Sequence, residues 1–233
     1  GKSTAVDSEN VMVTGFLQES MMKRATHQGA VDFRFINPRD FATDVHRTTD
    51  DRAYGGGPGM VMKPEPLTAA LESTHTPESH VIYLSPQGTP FQQAHAESLG
   101  SHTHLILLCG HYEGIDQRVL DTWVDQEFSI GDYVLTNGAL AAAVVIDATV
   151  RLLPGVLGGG TEATEAESFS SGLLDHPHYT RPETFNNQSV PEVLLSGNHA
   201  AIESWRKEKA LEKTRRVRPD LLKSEPERLN KSE

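Results

Sequence analysis

The chain has a single cysteine, Cys109, among its 233 residues, which excludes an intramolecular disulfide framework. Cys109 ends the apolar run 105–109, so it reads as a buried structural thiol in a reducing, cytoplasmic compartment rather than as a nucleophile. Long apolar runs are missing as well. No stretch goes far enough without polar interruption to span a bilayer, and no positively charged start precedes an apolar signal core. Positive charge is scarce: 21 Lys and Arg stand against 32 Asp and Glu, a formal net charge of −11. That excludes a protein that coats nucleic acid nonspecifically, because phosphate binding draws on Lys and Arg, but it leaves room for a local basic site. The common phosphate-binding loops are absent. Gly1-Lys2-Ser3-Thr4 mimics the end of a P-loop without its preceding glycine and strand, and YGGGPG at 54–59 does not satisfy G-x-G-x-x-G.

What the chain does have is a helix with almost no polar face. Between 139 and 153 the only charged residues are Asp147 and Arg151, four apart, so the two can pair on one face. Leu140, Val144, Val145, Ile146, Val150 and Leu152 then demand cover elsewhere, in a core or against a second subunit. Just before it, Tyr133, Val134 and Leu135 read as a strand, followed by Thr136-Asn137-Gly138, where Asn and Gly tolerate positive φ and backbone amides can face a ligand. Upstream, the apolar runs 81–84 and 105–109 read as short buried strands. They end abruptly at Ser85-Pro86-Gln87-Gly88 and Gly110-His111-Tyr112-Glu113-Gly114, with helices fitting 66–73 and 92–99. This alternation predicts an α/β domain with a mainly parallel sheet, whose ligand site lies where strands end and loops begin, at 83–88, 110–114 and 130–141. The polar opening GKSTAVDSENV predicts no strand.

Beyond Gly158-Gly159-Gly160, the stretch TEATEAESFSSG has no apolar periodicity and reads as a flexible acidic linker. The segment LLDHPHYTRPE reads as irregular. SGNHAAIESWRKEKALEKTRR reads as a helix capped by Ser196 or Asn198 and stopped by Pro219. On it Lys207, Lys209, Lys213, Arg215 and Arg216, with Arg218 beyond, are interleaved with Glu203, Glu208 and Glu212, which predicts a solvated helix with Glu203–Lys207 and Glu212–Arg216 pairs. The boundaries that result are a domain at 1–157, a linker at 158–172 and a small helical domain at 173–233.

Several motifs carry a resemblance. They are NPRDF (37–41), HRTTDDRAYGGGPGMVMKPEPL (46–67), YLSPQG (83–88), CGHYEGIDQRV (109–119), SIGDYVL (129–135), RLLPGVLG (151–158), GLLDHPHYTRPE (172–183) and VPEVLLSGNHAAIESWR (190–206). In order and spacing, over residues 12–222, the chain resembles the bacterial tRNA (guanine-N1)-methyltransferases of the TrmD family. The resemblance implies a SPOUT-class fold, an α/β domain with a mainly parallel sheet and a C-terminal trefoil knot, joined to a helical tRNA-binding domain. It further implies a homodimer with its active site at the subunit interface. The implied reaction moves a methyl group from S-adenosylmethionine, with a magnesium requirement, to N1 of the guanosine just 3′ of the anticodon in tRNA.

That reaction needs a base for a weakly acidic proton and a cation for charge developing toward O6. The resemblance assigns these roles to Glu167, where the family carries an aspartate before Ser-Phe, and to Arg151. It assigns the donor site to Tyr83, Leu84, Ser85, Pro86, Gly110, Tyr112, Glu113, Gly114, Ile130, Gly131, Tyr133, Leu135 and Gly138. Four neighbours depart from the family pattern: His111 stands for an Arg, Asn137 for a Gly, Ala139 for a Glu and Ala141 for a frequent Pro. The tRNA side would be formed by Asp50, Arg52, Gly55, Gly56 and Gly57, and from the C-terminal domain by Asp175, His178, Tyr179 and Arg181, with splayed bases stacking on rings. The pairs His102-x-His104 and His176-x-His178 lack a fuller ligand constellation, so they read as surface or RNA-contacting groups before metal ligands. The alternative to an enzyme is a tRNA-binding homologue impaired in catalysis. A metal-dependent hydrolase has only the two histidine pairs behind it.

Overall fold

The computed structural model describes residues 2–6, 11–111, 114–157, 168–169 and 172–222. They fall into two compact units, Gly1–Gly158 and Gly159–Glu233. Among the described residues no helix is long and apolar enough to cross a membrane.

The first unit is built on five strands, β1 (Lys2–Val6), β2 (Asp32–Ile36), β5 (Ser79–Pro90), β6 (His104–Cys109) and β7 (Gln126–Ser129), in the order β2-β1-β6-β5-β7. Every pairing in this sheet is parallel. A separate small hairpin joins β3 (Asp50–Asp51) to β4 (Val61–Met62). Strand β6, HLILLC, is buried at every position, because a parallel strand in the middle of a sheet is covered on both faces.

Alternation along the strands divides the core. Ile82, Leu84, Leu105, Leu107 and Cys109 point to one face, where α1 (Val11–Leu17), α2 (Ser20–His27), α4 (Gln93–Gly100) and α6 (Ala139–Val150) cover them. Val81, Tyr83, Ile106 and Leu108 point to the other, under α3 (Pro64–Glu72) and α5 (Gln117–Trp123). This is the two-residue period of a pleated strand, and it makes Cys109 the buried structural thiol expected of it.

Four expectations are corrected. The polar opening forms β1 after all, with Lys2 opposite both Asp32 and His104 and Val6 opposite both Ile36 and Leu108; two flanking strands satisfy its backbone groups, and that pairing outweighs a weak local preference. Strand β5 does not stop at Leu84 but runs to Pro90, with a register shift between Leu84 and Thr89, so residues 85–88 bulge out of a continuing strand. Tyr133, Val134 and Leu135 are not a strand: β7 ends at Ser129, and the amide of Tyr133 turns back to donate to Gly131 O at 2.9 Å. Finally, α6 ends at Val150 rather than 153, with Arg151 as its C-cap donating its amide to Asp147 O at 3.2 Å. Within the single chain Leu140 and Val144 of α6 are each 48% exposed while Val145 is 1% exposed, so the core covers one side of the apolar helix.

In the second unit, α7 (Glu192–Leu195) leads to α8 (His199–Val217). Of the two expected caps it is Asn198 that works, its side chain accepting from Ala201 N at 3.2 Å. Arg218 closes the helix before Pro219. Buried Thr214 takes the amide of Leu174 on its hydroxyl at 2.9 Å, tying the irregular 172–183 segment to α8. An unpredicted hairpin, β8 (Thr184–Phe185) with β9 (Gln188–Ser189), turns through Asn186 and Asn187 at φ 49° and 62°, the left-handed conformations that Asn tolerates in tight turns. Glu212 pairs with Lys209 at 2.7 Å rather than with Arg216, since residues three apart on a helix are also neighbours.

Candidate active site

A cavity of about 490 Å³ opens at the carboxyl ends of β5, β6 and β7, the position expected for a ligand in a parallel α/β sheet. Its walls are the bulge after Leu84, the loop after Cys109 and the loop between β7 and α6. Tyr83, Leu84, Ser85, Pro86, Gly110, Gly114, Ile130, Gly131, Tyr133, Leu135 and Gly138 all line it. Tyr112 and Glu113 lie outside the described residues.

Close backbone approach holds the loops together. The amide of Gly138 donates to Gly110 O at 2.9 Å, and His111 bridges to Asn137. A Cβ on Gly138 would lie 3.0 Å from Cys109 Cα and 3.1 Å from Gly110 N, and one on Gly110 would lie 2.9 Å from the Tyr83 hydroxyl. A side chain at Gly138 would press on the backbone of the loop after Cys109, so glycine gives the two loops their closest approach. Asn137, where a glycine was expected, also lines the cavity, but its side-chain oxygen accepts from Ala139 N at 3.0 Å. The side chain thereby caps the start of α6, a local use open to Asn and closed to Gly.

The third loop is fastened by Ser129, whose hydroxyl donates to Gly131 O at 3.0 Å and accepts from Gly131 N at 3.3 Å. The Tyr133 hydroxyl donates to Ile130 O at 3.2 Å. Sequence reasoning missed Gln117, Leu120 and Glu127, which also line the cavity. Glu127 is on β7, a strand the sequence pattern did not reveal. Ser85 Oγ donates to its Oε1, and the amide of Gln87 donates to Ser85 Oγ at 3.0 Å. Burial, then the nearby negative charge of Glu127, pushes the Tyr83 phenol up to about 12.

The β3–β4 hairpin connects to this site. Met62 N donates to Gly114 O at 3.0 Å and Met62 O accepts from Asp116 N at 3.1 Å, while Asp50 pairs with Met62 across the hairpin. Arg52 follows, its amide donating to Asp51 Oδ1 at 2.7 Å. Gly55, Gly56 and Gly57 make the turn at φ 86°, 80° and 111°, backbone that side chains resist.

Arg151 is not brought to the cavity. Gly138 is at the N-terminal end of α6 and Arg151 at the other, about 20 Å away at about 1.5 Å per residue. Glu167 lies outside the described residues. The next residue, Ser168, accepts the amide of Asp175 on its hydroxyl at 2.9 Å.

Asp175, His176 and His178 form a cluster whose possible ligand atoms lie within 4.8 Å of one another. His178 Nε2 is 2.8 Å from Asp175 Oδ2, and His176 N donates to Asp175 Oδ1 at 2.7 Å. Burial pushes the Asp175 carboxyl up, but the hydrogen bonds from His178 and His176 outweigh it and hold the group below its usual value. Tyr179, half exposed, stands 6.3 Å from the Trp205 ring, and Arg181 is exposed before a cis proline. The other histidine pair is split. His104 is buried with Nδ1 2.8 Å from Ser79 Oγ, which corrects the surface reading, and His102 stacks on His80 at 4.3 Å.

The family model described as tRNA (Guanine-1)-methyltransferase TrmD matches residues 9–224. A tRNA (guanine-N(1)-)-methyltransferase of Protochlamydia amoebophila is 59% identical over 208 residues, covering 89% of this chain and 93% of that protein. Proteins of the same name from Anoxybacillus flavithermus and Geobacter metallireducens are 53% and 54% identical over 91% of this chain, covering 88% and 86% of their own lengths. With most of both sequences aligned at such identity, the chain belongs to the tRNA (guanine-1)-methyltransferase family, TrmD.

Proposed function

We propose that this protein transfers the methyl group of S-adenosylmethionine to N1 of the guanosine just 3′ of the anticodon in tRNA, acting as a cytoplasmic homodimer. The observation that carries the reading is the three-loop cavity. Its volume of about 490 Å³ falls within the range of pockets that enclose a cofactor-sized ligand. Glycines keep its backbone amides and carbonyls close enough to recognise an adenine by hydrogen bonds. We assign the sheet to the SPOUT class, with a trefoil knot in residues 1–157. Residues 158–172 act as the interdomain linker and residues 173–233 as the tRNA-binding domain.

In this reading the cavity residues hold the donor, including Tyr112 and Glu113. Asp50, Arg52 and the glycines 55–57 meet tRNA together with Asp175, His178, Tyr179 and Arg181. Glu167 accepts the N1 proton while Arg151 stabilises charge at O6. The separation of Arg151 from its own cavity along α6 favours a site completed by a second subunit. So do the apolar Leu140 and Val144, each 48% exposed on the same helix. Magnesium takes oxygen ligands in near-octahedral array. The Asp175-His176-His178 cluster offers two imidazoles to one carboxylate, a donor set suited to zinc, nickel or iron rather than magnesium.

The test incubates the purified protein with methyl-labelled S-adenosylmethionine and tRNA transcripts bearing G or A at the target position. Label on the G transcript alone is expected. Transcript binding without label would establish instead a tRNA-binding homologue impaired in catalysis.

A further inference from the structure

We infer that Glu127 sets the charge selectivity of the donor cavity, favouring a cationic sulfonium ligand over the neutral thioether left after methyl transfer. The inference rests on the donor-site reading above and adds to it a residue outside the expected set.

Four observations converge on it. Glu127 lines the cavity, and it is the one formally charged side chain among the described residues that do so at neutral pH, with no Lys or Arg in the wall. Among the described residues no ion pair neutralises it. Its hydrogen bond comes from the Ser85 hydroxyl, a neutral donor that fixes the orientation of the carboxylate and leaves its charge in place. The charge is felt within the cavity wall, for after burial it is the second cause that pushes the Tyr83 phenol up.

The ligand chemistry matches this field. The donor carries an ammonium, a carboxylate and a sulfonium, one net positive charge; the thioether product keeps the first two and is net neutral. A wall that carries the Glu127 charge therefore binds donor more tightly than the same wall without that charge would, and the charge gains nothing for the product. Screening is limited because the site is recessed, and charges a few ångströms apart at a protein surface interact appreciably. Selectivity is a difference of affinities, so Glu127 also favours exchange of spent product for fresh donor.

The experiment measures, on the full chain by calorimetry, the Kd of S-adenosylmethionine, of its amine analogue sinefungin, which is also cationic, and of S-adenosylhomocysteine. Glu127→Gln keeps the shape and can still accept from Ser85. It is expected to weaken the two cationic ligands about tenfold while S-adenosylhomocysteine changes less than twofold, so the cation-to-thioether preference falls about tenfold. Glu127→Asp, which keeps the charge, and Ser85→Ala, which removes the hydrogen bond, should each retain most of that preference. Equal weakening of all three ligands in Glu127→Gln would overturn the inference by making Glu127 a structural prop. Loss of the preference in Glu127→Asp, or in Ser85→Ala, to the same extent as in Glu127→Gln would overturn it too. Should the unmodified protein bind none of the three, the donor-site reading itself fails, a result distinct from any of these.

Discussion

A carboxylate placed at Val144 should split the proposed dimer without unfolding the chain. Val144 is 48% exposed, whereas its neighbour Val145 is 1% exposed in the core. Within one chain an Asp at 144 keeps access to water, so its effect on folding is that of a surface change, within about 0.5 kcal/mol plus a few tenths for helix propensity. If a second subunit covers this face, the same carboxylate is buried without a partner. A cost on the order of 4 kcal/mol is then expected, roughly a thousandfold in the dimer Kd. Sedimentation across a concentration series reads the association, and denaturant unfolding at low concentration reads the fold. Val144→Asp should sediment as a folded monomer with little activity, since donor cavity and Arg151 would no longer meet across subunits. Val145→Asp should fail to fold, because that side chain serves the core of its own chain. A Val144→Asp protein that remains dimeric and active would refute this use of α6.

Further expectations concern the chemistry. Glu167→Gln keeps the shape but cannot accept the N1 proton, so single-turnover methylation should drop about a hundredfold or more while donor and tRNA binding change little; near-normal turnover would exonerate Glu167 and turn attention to Asp175. Arg151→Lys keeps a cation without the planar fork, and should fold normally yet slow the chemical step. An unchanged single-turnover rate per folded dimer in Arg151→Ala would remove Arg151 from the mechanism. For Tyr83 the folded pKa is raised to about 12 from the ordinary phenol value of 10.0, so between these values the folded protein holds a proton that the unfolded chain releases. The sign follows: stability is fully present below about pH 10 and is lost as pH rises toward 12, by on the order of 2 kcal/mol. Denaturant midpoints at the two ends of that window should show a drop that Tyr83→Phe lessens; equal drops in both proteins would count against it.

Much was legible from sequence alone. Strand β6 and the first half of β5 announce themselves because a buried parallel strand must be apolar at nearly every position, as HLILLC is. Helices α3, α4 and α8 follow from local spacing, and α8 from the cap that Asn198 supplies. The family too is a sequence property, since it resides in ordered motifs whose residues need not be seen in space. The positions that failed are those decided by distant partners. Lys2–Val6 is a strand because β2 and β6 flank it, and no local pattern marks it. Gln126–Ser129 pairs with both halves of β5, while the more strand-like Tyr133, Val134 and Leu135 are turned away by the bend at Gly131. For the same reason Glu127 could not be placed beside Ser85, forty-two residues earlier. Backbone pairing in a parallel sheet joins segments far apart in the chain, so its register, and with it the membership of the cavity, belongs to the tertiary structure. The identity of the chemistry-bearing residues is written locally; which of them meet is set by the sheet and by the end of α6 on which each one stands.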